Sequence, residues 1–439
     1  MKTEPSININ NKILENLSNL VKRFSFPRLA GTEGEKKAVD LSIKTFYDIG
    51  FDSAQIQRET FEFSDFYSIT MVKLIMVINL TFSLFLLMFI YVNFTIAMLI
   101  VVIMSIVVLL IVKGLKHPEN PGFWGEYYGK TRSATNIFVK VPAIDLPEKD
   151  AGNIVISGHL DSKSQNFSTF WRVFLYRVWL YSGVCLGGFL IALIFHTYTP
   201  LKLDFMIVSI GIWVSTIIVS LSNLFLLFLK TDNNSPGTLD NASGMAIVFE
   251  LSKYFQNIPT RNFNLWFCQF SAEELGTMGS RVFVNNHESQ FQKGKVFQIN
   301  LEMISCKDHP NNQVEFMKSY GILPRKKIAP LLSKYINKAA SEEKVNIDGF
   351  HSTVGAHTDS VPFHLRGFYS IDLITRAGAK YTHSRFDTPD KVDPKVLLKA
   401  YLIVRKALLL LDDDYETLCK NEESEGEEKS VIQLLKKFF

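Results

Sequence analysis

The sequence predicts an α/β domain with a central mixed β-sheet flanked by helices, interrupted by two inserted transmembrane α-hairpins that give four spans. Outside two long apolar regions, apolar β-rich runs alternate with helical patterns, as they do in α/β domains. The hydrophobic content is 47%, with 36 Phe among 439 residues, which is high for a soluble protein. Because the excess is concentrated in the two apolar regions, it indicates membrane helices rather than a larger core.

The soluble segments contain clear helix and strand patterns. Residues 32–50 predict a helix, because Thr32 and Glu35 match a capping box and Gly50 follows the last apolar position. Buried strands are predicted for the runs NIFVKV, NIVISGH, FNLWFCQF, KVFQINLEMI and YSIDLI. Helices packed on the sheet are predicted for GMAIVFELSKYF and PKVLLKAYLIVRKALLLL.

The first apolar region, Leu74 to Val112, contains no charged residue. As one helix it would be roughly 58 Å long, about twice the hydrocarbon thickness of a bilayer. Two spans with a tight turn near Asn93 are therefore predicted. The second region is broken at HTYTPLKLD, which predicts spans near 178–195 and 205–229. Buried core helices are the alternative, but such long apolar stretches are hard to bury in a domain of this size.

These patterns divide the chain into six segments. The soluble domain is predicted to be split into three parts by the two hairpins, and a charged tail follows it. The segments are 1–73 (soluble domain, first part), 74–112 (first hairpin), 113–170 (soluble domain with the first metal motif), 171–230 (second hairpin), 231–415 (soluble domain with the remaining metal ligands) and 416–439 (acidic linker and amphipathic tail).

Four spans return the chain to its starting side, so the candidate site residues all face one compartment. Basic residues flank the spans mainly on the soluble-domain side, where they are Lys73, Lys113, Lys116, Arg172, Arg177 and Lys230. The opposite loops carry only Lys202. The positive-inside rule then predicts a multi-pass membrane protein whose soluble domain lies in the cytoplasm. The four scattered cysteines and the absence of a secretory signal pattern favour the same compartment.

Charge and span composition exclude two classes of function. The 47 Lys+Arg and 43 Asp+Glu nearly balance and form no basic stripe, so no nucleic-acid partner is expected. Transport pathways usually need ionisable groups within the membrane, and the predicted spans have none between their ends. The bilayer is therefore predicted as a partner through anchoring or substrate access. The sequence does not indicate an oligomeric state.

Five residues in separate short motifs match the ligands of a two-metal site. Such a site needs imidazole and carboxylate ligands, and one carboxylate usually bridges the metals. Three of the motifs end predicted strands, and ligands in open α/β sheets gather at the carboxyl ends of strands. The five residues are His159 in GHLDS, Asp240 in PGTLDNASG, Glu274 in FSAEELG, Glu302 in INLEMIS and His383 in YTHSRFDTPDK.

Two further residues have predicted roles in the chemistry. Glu273 stands next to Glu274, and two adjacent glutamates repel unless a cation lies between them. We expect a metal to take Glu274, while Glu273 serves as general base on the attacking water. Asp161, two residues after His159, is expected to orient the histidine ring through a hydrogen bond.

At this point the motifs resemble a known family. The order HLDS, DNASG, AEELG-x-x-GS, NLEM and a late HS-x-x-DTPDK is similar to that of the zinc-dependent exopeptidases typified by bacterial leucyl aminopeptidases. That family also has glutamate carboxypeptidase-like, glutaminyl cyclase-like and catalytically inactive branches. The resemblance runs from PRLAGTEGE to DKVDP.

The resemblance implies a zinc-exopeptidase fold, a peptide substrate and two zinc ions, with other divalent metals as alternatives. It implies that Asp240 bridges the metals and that His159 and Glu302 complete opposite metals. Glu274 and His383 would complete the shells, and Glu273 would be the catalytic base. An aminopeptidase is the leading prediction. The alternatives are a carboxypeptidase, a glutaminyl cyclase-like acyltransferase and a non-catalytic membrane scaffold.

Two departures from the family pattern bear on substrate. Position 302 is Glu where many aminopeptidases of the family have Asp, and the second hairpin lies between His159 and Asp240, where relatives have a short loop. The short distance in sequence between Asp161 and Phe170 predicts an active site that opens close to the membrane. Candidate substrate contacts are His357, Asp359 and Tyr381.

Overall fold

The computed structural model describes residues 4–114, 117–120, 122–167, 169–201, 203–292, 294–321, 325–352 and 357–418. The predicted acidic linker and amphipathic tail therefore lie outside the described residues from position 419 onward, as do Lys116 and Lys202. The helices are α1 (Glu4–Arg23), α2 (Glu33–Ile49), α3 (Met71–Phe89), α4 (Phe94–Lys113), α5 (Gly122–Tyr128), α6 (Thr169–Tyr198), α7 (Phe205–Leu227), α8 (Ser243–Asn257), α9 (Met278–His287), α10 (Pro330–Glu342), α11 (Val361–Leu365) and α12 (Pro394–Asp413).

The strands form one large sheet and one short ribbon. They are β1 (Gln57–Ser64), β2 (Thr131–Val141), β3 (Gly152–His159), β4 (Ser164–Gln165), β5 (Thr231–Asp232), β6 (Phe263–Phe270), β7 (Val296–Glu302), β8 (Val314–Tyr320), β9 (Lys326–Lys327), β10 (Ile347–Ser352) and β11 (Tyr369–Ile374). The large sheet has the order β1-β2-β6-β3-β7-β11-β8-β10, with β9 paired to β8, and β4 pairs with β5.

The chain forms two compact units, each built from separate stretches of sequence. The first, the sheet unit, comprises Met1–Glu62, Ser133–Lys163 and Asn233–Phe439. The second, the helical unit, comprises Phe63–Arg132 and Ser164–Asp232.

The sheet is mixed and covered on both faces, which confirms the predicted fold class. Its central strands β6, β3, β7 and β11 run parallel, whereas β2 is antiparallel to β6 and β8 is antiparallel to β11. Side chains alternate between two apolar clusters: Leu265 and Phe267 of β6 join the larger one, and Trp266 and Cys268 join the smaller one. This alternation explains why the central strands are continuous apolar runs in the sequence.

Helix α2 matches its predicted range but not its predicted cap. Gly50 ends it in the left-handed conformation, with φ +117°, as expected. Thr32, however, donates its hydroxyl hydrogen bond to the carbonyl of Leu29, and its side chain does not cap the helix. Glu35 instead accepts hydrogen bonds from the Thr135 backbone and the Ser271 hydroxyl. The capping-box prediction is therefore wrong, because a strand and a loop distant in sequence compete for the glutamate.

The helical unit contains four helices that are long and apolar enough to cross a membrane, as judged by length and composition. The first pair is α3 and α4, and the turn between them ends at Asn93, whose side chain caps α4 by accepting from the Ile96 backbone at 3.1 Å. The second pair is α6 and α7. Helix α6 begins at Thr169, earlier than the predicted start near 178, because the aromatic residues before that position continue the helix.

Glycine allows close helix packing in this unit at one position of α7, and not at the three glycines of α6. Gly183, Gly187 and Gly188 of α6 have no described heavy atom within 4 Å of an added Cβ, so they do not mark a close helix contact. A Cβ on Gly211 of α7, in contrast, would lie 2.4 Å from the ring of Phe189. The close approach between α6 and α7 therefore depends on Gly211.

Candidate metal centre

The candidate ligands converge because their strands are parallel neighbours. His159 is the last residue of β3 and Glu302 is the last residue of β7, while Glu273 and Glu274 follow the end of β6. Strand β3 pairs in parallel with both β6 and β7, so all three carboxyl ends lie at one edge of the sheet. His383 follows the fourth parallel strand, β11.

Asp240 lies between the two histidines. It belongs to a π-helical turn, Thr238–Ala242, directly before α8. Its Oδ1 is 3.0 Å from Nε2 of His159, and its Oδ2 is 3.2 Å from Nε2 of His383. Each oxygen of one buried carboxylate thus faces a different imidazole nitrogen, which is the arrangement of a bridging ligand.

Each histidine also faces one glutamate. Oε1 of Glu302 lies 3.2 Å from Nε2 of His159, and Oε2 of Glu274 lies 3.1 Å from Nε2 of His383. We call His159 with Glu302 the first half-site and Glu274 with His383 the second half-site; Asp240 is common to both. The prediction that His159 and Glu302 complete opposite metals is wrong, since β3 and β7 are adjacent and bring the two residues into the same half-site.

The donor set fits divalent metal ions. It offers imidazole nitrogens and carboxylate oxygens, the ligands that zinc takes in proteins. The carboxylates are nearly inaccessible, with 4% exposure for Asp240, 6% for Glu274 and 5% for Glu302. Oε1 of Glu274 and Oε2 of Glu302 are buried without a hydrogen-bond partner. Buried carboxylates of this kind are costly unless cations compensate them, so the cluster suits metals.

The electrostatics differ between the half-sites. Burial disfavours ionisation throughout, and it raises the pKa of Glu302 to about 7. In Asp240 this cost is outweighed by the hydrogen bonds from His159 and His383, which lower the pKa of the carboxyl. In Glu274 the charges of His383 and Lys163 overcome burial and lower the pKa to about 2.

Glu273 lies beside the first half-site without belonging to its shortest contacts. A carboxylate oxygen of Glu273, an oxygen of Glu302 and a ring nitrogen of His159 lie within 4.8 Å of one another. Burial, reinforced by the charge of Glu302, raises the pKa of Glu273 well above its ordinary value. The side chain is therefore next to the cluster and suited to carry a proton near neutral pH.

Asp161 contacts the site differently from expectation. The Nδ1 of His159 lies 3.0 Å from the backbone oxygen of Asp161 but 3.6 Å from its carboxylate, which is too long for a hydrogen bond. The carboxylate instead accepts from the backbone N–H groups of Glu273 at 3.1 Å and Glu274 at 3.3 Å. Asp161 thus orients the histidine through its main chain and the two glutamates through its side chain.

Three residues around the cluster have left-handed backbones although they are not glycine. Ala272 precedes Glu273 with φ 57°, Met303 follows Glu302 with φ 45°, and His383 itself has φ 59°. Residues other than glycine adopt this conformation at a cost of order 1–3 kcal/mol, which is tolerated where the surrounding structure fixes the backbone. Three of the seven non-glycine residues with positive φ among the described residues are thus candidate site residues or their direct neighbours.

The three candidate substrate residues lie in different environments. His357 is exposed, whereas Asp359 is fully buried and burial raises its pKa to about 8. The Tyr381 hydroxyl hydrogen-bonds to Asp308. None of the three has a hydrogen bond to a half-site residue among those recorded for the described chain, and their role as substrate contacts stays a prediction.

Three residues near the cluster were not identified from the sequence. The amine of Lys163 lies 2.8 Å from Oε2 of Glu274, and Arg28 and Asp387 contact the backbone of the loop that leads to Asp240. Lys163 follows the GHLDS motif directly, and a cation next to a predicted acidic cluster is a signal that could have been used. Arg28 and Asp387 lie in the PRLAG and DTPDK motifs, which supported the resemblance without any assigned role.

Comparisons with known proteins agree with this geometry. Residues 222–408 match Peptidase family M28, a range that contains every half-site residue except His159. The chain is therefore similar to Peptidase family M28 over somewhat less than half of its length. Helix α6 and most of α7 lie between His159 and the matched range, which begins within α7.

The chain is also similar to bacterial aminopeptidases. Aminopeptidase YwaD of Bacillus subtilis (strain 168) is 25% identical over 181 residues, which are 40% of this chain and only 37% of that relative. An aminopeptidase from Aneurinibacillus sp. strain AM-1 superposes with a TM-score of 0.53 at 14% identity, covering 90% of this chain and 93% of the other. BSAP, a zinc aminopeptidase from Bacillus subtilis, gives 0.51 at 13% identity, covering 91% and 94%. At these identities the two structures establish the shared fold.

Proposed function

We propose that this protein is a membrane-anchored zinc exopeptidase that removes N-terminal residues from peptides. The observation that carries the proposal is the position of Asp240, whose two oxygens lie 3.0 and 3.2 Å from the ring nitrogens of His159 and His383. A carboxylate shared by two half-sites, with a free glutamate beside them, is the arrangement that hydrolysis by two metals requires. The M28 match and the aminopeptidase relatives support the same reaction class.

Each half-site would hold one zinc ion together with the shared Asp240. When bound, the ions supply Lewis-acid polarisation of the scissile carbonyl and lower the pKa of a water molecule to about 7. Asp240, Glu274 and Glu302 contribute three negative charges against the four positive charges of two zinc ions. The presence of two half-sites, each with its own histidine and glutamate, supports two ions rather than one.

Glu273 would move the protons. Its carboxylate takes a proton from the attacking water as the new carbon–oxygen bond forms, and delivers it to the amine as the carbon–nitrogen bond breaks. The raised pKa of Glu273 suits this double role, since the group must both accept and release a proton near neutral pH. Asp161 keeps the carboxylate in place by accepting from the Glu273 backbone N–H at 3.1 Å.

The arginines considered for binding a terminal carboxylate, Arg376 and Arg385, differ in their availability. Recognition of a terminal carboxylate would need a free guanidinium. Arg376 is already paired with Glu315, a carboxylate only 2% exposed, and it also lies 3.5 Å from Asp348. Arg385 is exposed and stacks on the ring of Phe386. If the protein is a carboxypeptidase, Arg385 is therefore the arginine expected to bind the terminal carboxylate.

The four apolar helices would anchor the protein as a multi-pass membrane protein, with the sheet unit in the cytoplasm. Lys73 and Lys113 in the first pair, and Arg172, Arg177 and Lys230 around the second, support this orientation through the positive-inside rule. The six-segment division of the chain follows from the same proposal.

The test is hydrolysis of a mixed peptide library by purified, zinc-loaded protein, followed by mass spectrometry and metal analysis. We expect loss of single N-terminal residues and two zinc ions per chain. Glu273→Ala should keep the metals and lose turnover by about 10²–10⁴-fold. Glu62→Ala, which removes an exposed glutamate of β1, is the matched control and should be fully active.

Other outcomes would refute the proposal in distinct ways. Release of C-terminal residues would support a carboxypeptidase, and Arg385→Ala should then raise KM. One zinc per chain with cyclisation of N-terminal glutamine would support the acyltransferase alternative. Folded protein that binds no zinc and cleaves nothing would support a scaffold.

A further inference from the structure

Arg28 is among the largest fully buried side chains of the described residues. Its exposure is 0%, yet its guanidinium donates five hydrogen bonds, all to backbone carbonyl oxygens. The acceptors are Leu160 at 2.6 Å, Phe24 at 2.6 Å, Phe26 at 3.1 Å, Pro236 at 2.7 Å and Gly237 at 2.7 Å. A buried arginine therefore joins three segments that are far apart in the sequence.

Two of these segments carry candidate ligands. Leu160 directly follows His159, and Gly237 lies three residues before Asp240. The Arg28 backbone N–H also donates to the Ser162 hydroxyl at 3.2 Å. One residue thus contacts the segment of the first half-site and the segment of the carboxylate that both half-sites share.

Asp387 contacts the other side of the same loop. It is fully buried, and its carboxylate accepts from the backbone N–H of Leu239 at 2.6 Å and of Asp240 at 3.2 Å. Its own backbone oxygen lies 3.4 Å from the N–H of Thr238. In the loop 236–240, the guanidinium of Arg28 therefore binds carbonyl oxygens and the carboxyl group of Asp387 binds N–H groups. Hydrogen bonds that involve a charged group are stronger than those between neutral groups.

The loop packs so closely at Gly237 that a side chain cannot be accommodated there. Gly237 has φ +61°, and a Cβ added there would lie 2.4 Å from Cβ of Ser162 and 2.8 Å from Nη1 of Arg28. Such contacts require something to move. The loop can adopt this path against Arg28 because position 237 has no side chain.

We propose that Arg28 and Asp387 are positioning residues that fix Asp240 relative to His159, and so set the spacing of the two half-sites. This inference rests on the proposed metal site. Neither residue touches substrate or metal in it; each acts through the backbone of ligand-bearing segments. Residues that orient metal ligands typically change metal affinity by about 10–100-fold when they are replaced.

The primary test is Asp387→Asn in the full-length protein, purified in detergent. The substitution keeps the shape of the side chain and replaces one N–H acceptor with a donor. We expect zinc affinity, measured by chelator competition, to fall about 10–100-fold. The visible absorption of cobalt-substituted protein should change, and kcat should fall with KM close to that of the wild type.

The control is Asp412→Asn. Asp412 is also buried, at 5% exposure, and its carboxylate accepts from two consecutive backbone N–H groups, Arg261 and Asn262, each at 2.8 Å. Asp412 therefore makes the same kind of contact as Asp387, a buried carboxylate that accepts from two consecutive backbone N–H groups, but in a loop without candidate ligands. We expect this variant to lose stability but to keep zinc affinity and the cobalt spectrum.

A second pair of variants tests the arginine. Arg28→Lys keeps a buried positive charge but cannot reach five carbonyls, and we expect it to alter the cobalt spectrum as Asp387→Asn does. Arg405→Lys, at a half-buried arginine paired with Glu343, should not. The proposal is overturned if Asp387→Asn and Arg28→Lys are folded but bind zinc and cobalt as the wild type does. Wild-type protein that binds no metal would instead overturn the proposed function, and this inference with it.

Discussion

The side-chain amine of Lys163 lies 2.8 Å from Oε2 of Glu274, the same oxygen that faces His383 at 3.1 Å. Lys163 also donates to the Glu274 backbone oxygen at 2.9 Å, and its side chain is only 13% exposed. A cation thus already contacts a carboxylate that the proposal assigns to a metal. Lysine and metal compete for the charge of Glu274.

Replacing this lysine should strengthen metal binding at the second half-site. Lys163→Met keeps the length of the side chain and removes its charge, so the repulsion between the ammonium and a divalent ion disappears. We expect zinc affinity to rise roughly tenfold, or about 1.4 kcal/mol. Chelator competition measures it, with Lys253→Met, at a lysine of α8, as the control. Unchanged or weaker zinc binding would show that Lys163 instead supports the site by ordering Glu274.

Stability should depend on pH through Glu35. Burial, the largest cause, raises the pKa of Glu35 from 4.5 to about 7. The folded state therefore binds the proton more tightly than the unfolded state, so the stabilisation is complete below pH 4.5 and is lost as the pH rises to about 7. Glu35→Gln should flatten the pH dependence of the unfolding free energy in this window. Denaturant unfolding at several pH values measures this, and an unchanged slope would contradict the assignment.

The start of α8 should not tolerate a methyl group. A Cβ on Gly244 would lie 2.3 Å from the Leu301 backbone oxygen of β7 and 2.5 Å from Oδ1 of Asn241. Because the nearest of these atoms belongs to the backbone, Gly244→Ala should cost ~1–3 kcal/mol despite the better helix propensity of alanine. Thermal unfolding checks this. Gly187→Ala has open space around it and should unfold at the wild-type temperature or slightly above.

If the protein lies in the plasma membrane, the proposed orientation places the loop between α6 and α7 outside the cell. Thr199→Cys lies in this loop, and Glu288→Cys lies at an exposed position of the sheet unit. In a background with Cys185 and Cys419 replaced, a membrane-impermeant maleimide should label Thr199→Cys in intact cells. Glu288→Cys should require permeabilisation. The reverse pattern would place the sheet unit on the outer side.

Sequence predicted the convergence of the half-sites because three of the five motifs lie at the ends of buried strands. His159 and Glu302 end β3 and β7, and both strands are continuous apolar runs bounded by polar residues. Which ligands share a half-site was harder to predict from the sequence. That His159 lies with Glu302 follows from the adjacency of β3 and β7, and strand order is a property of the sheet that a one-dimensional pattern does not contain.

Side chains with distant partners were predicted least well. Glu35 matched a local capping motif, yet Ser271 and Thr135 determine its position. Arg28 lies more than 140 residues before the loop whose carbonyl groups it binds, and Asp387 lies more than 140 residues after the loop whose N–H groups it binds. No local sequence pattern therefore reveals either contact. The spans were predictable because length and composition alone decide membrane compatibility.

The order β6-β3-β7 has a consequence for biosynthesis. Strand β3 is made before the second apolar hairpin, whereas both of its partners are made after it. All eight of its residues are buried in the finished sheet, so the nascent chain must carry an unpaired apolar strand while α6 and α7 are being translated. Synthesis of that hairpin therefore separates two stages of maturation, and His159 can meet Glu302 only once translation has passed β7.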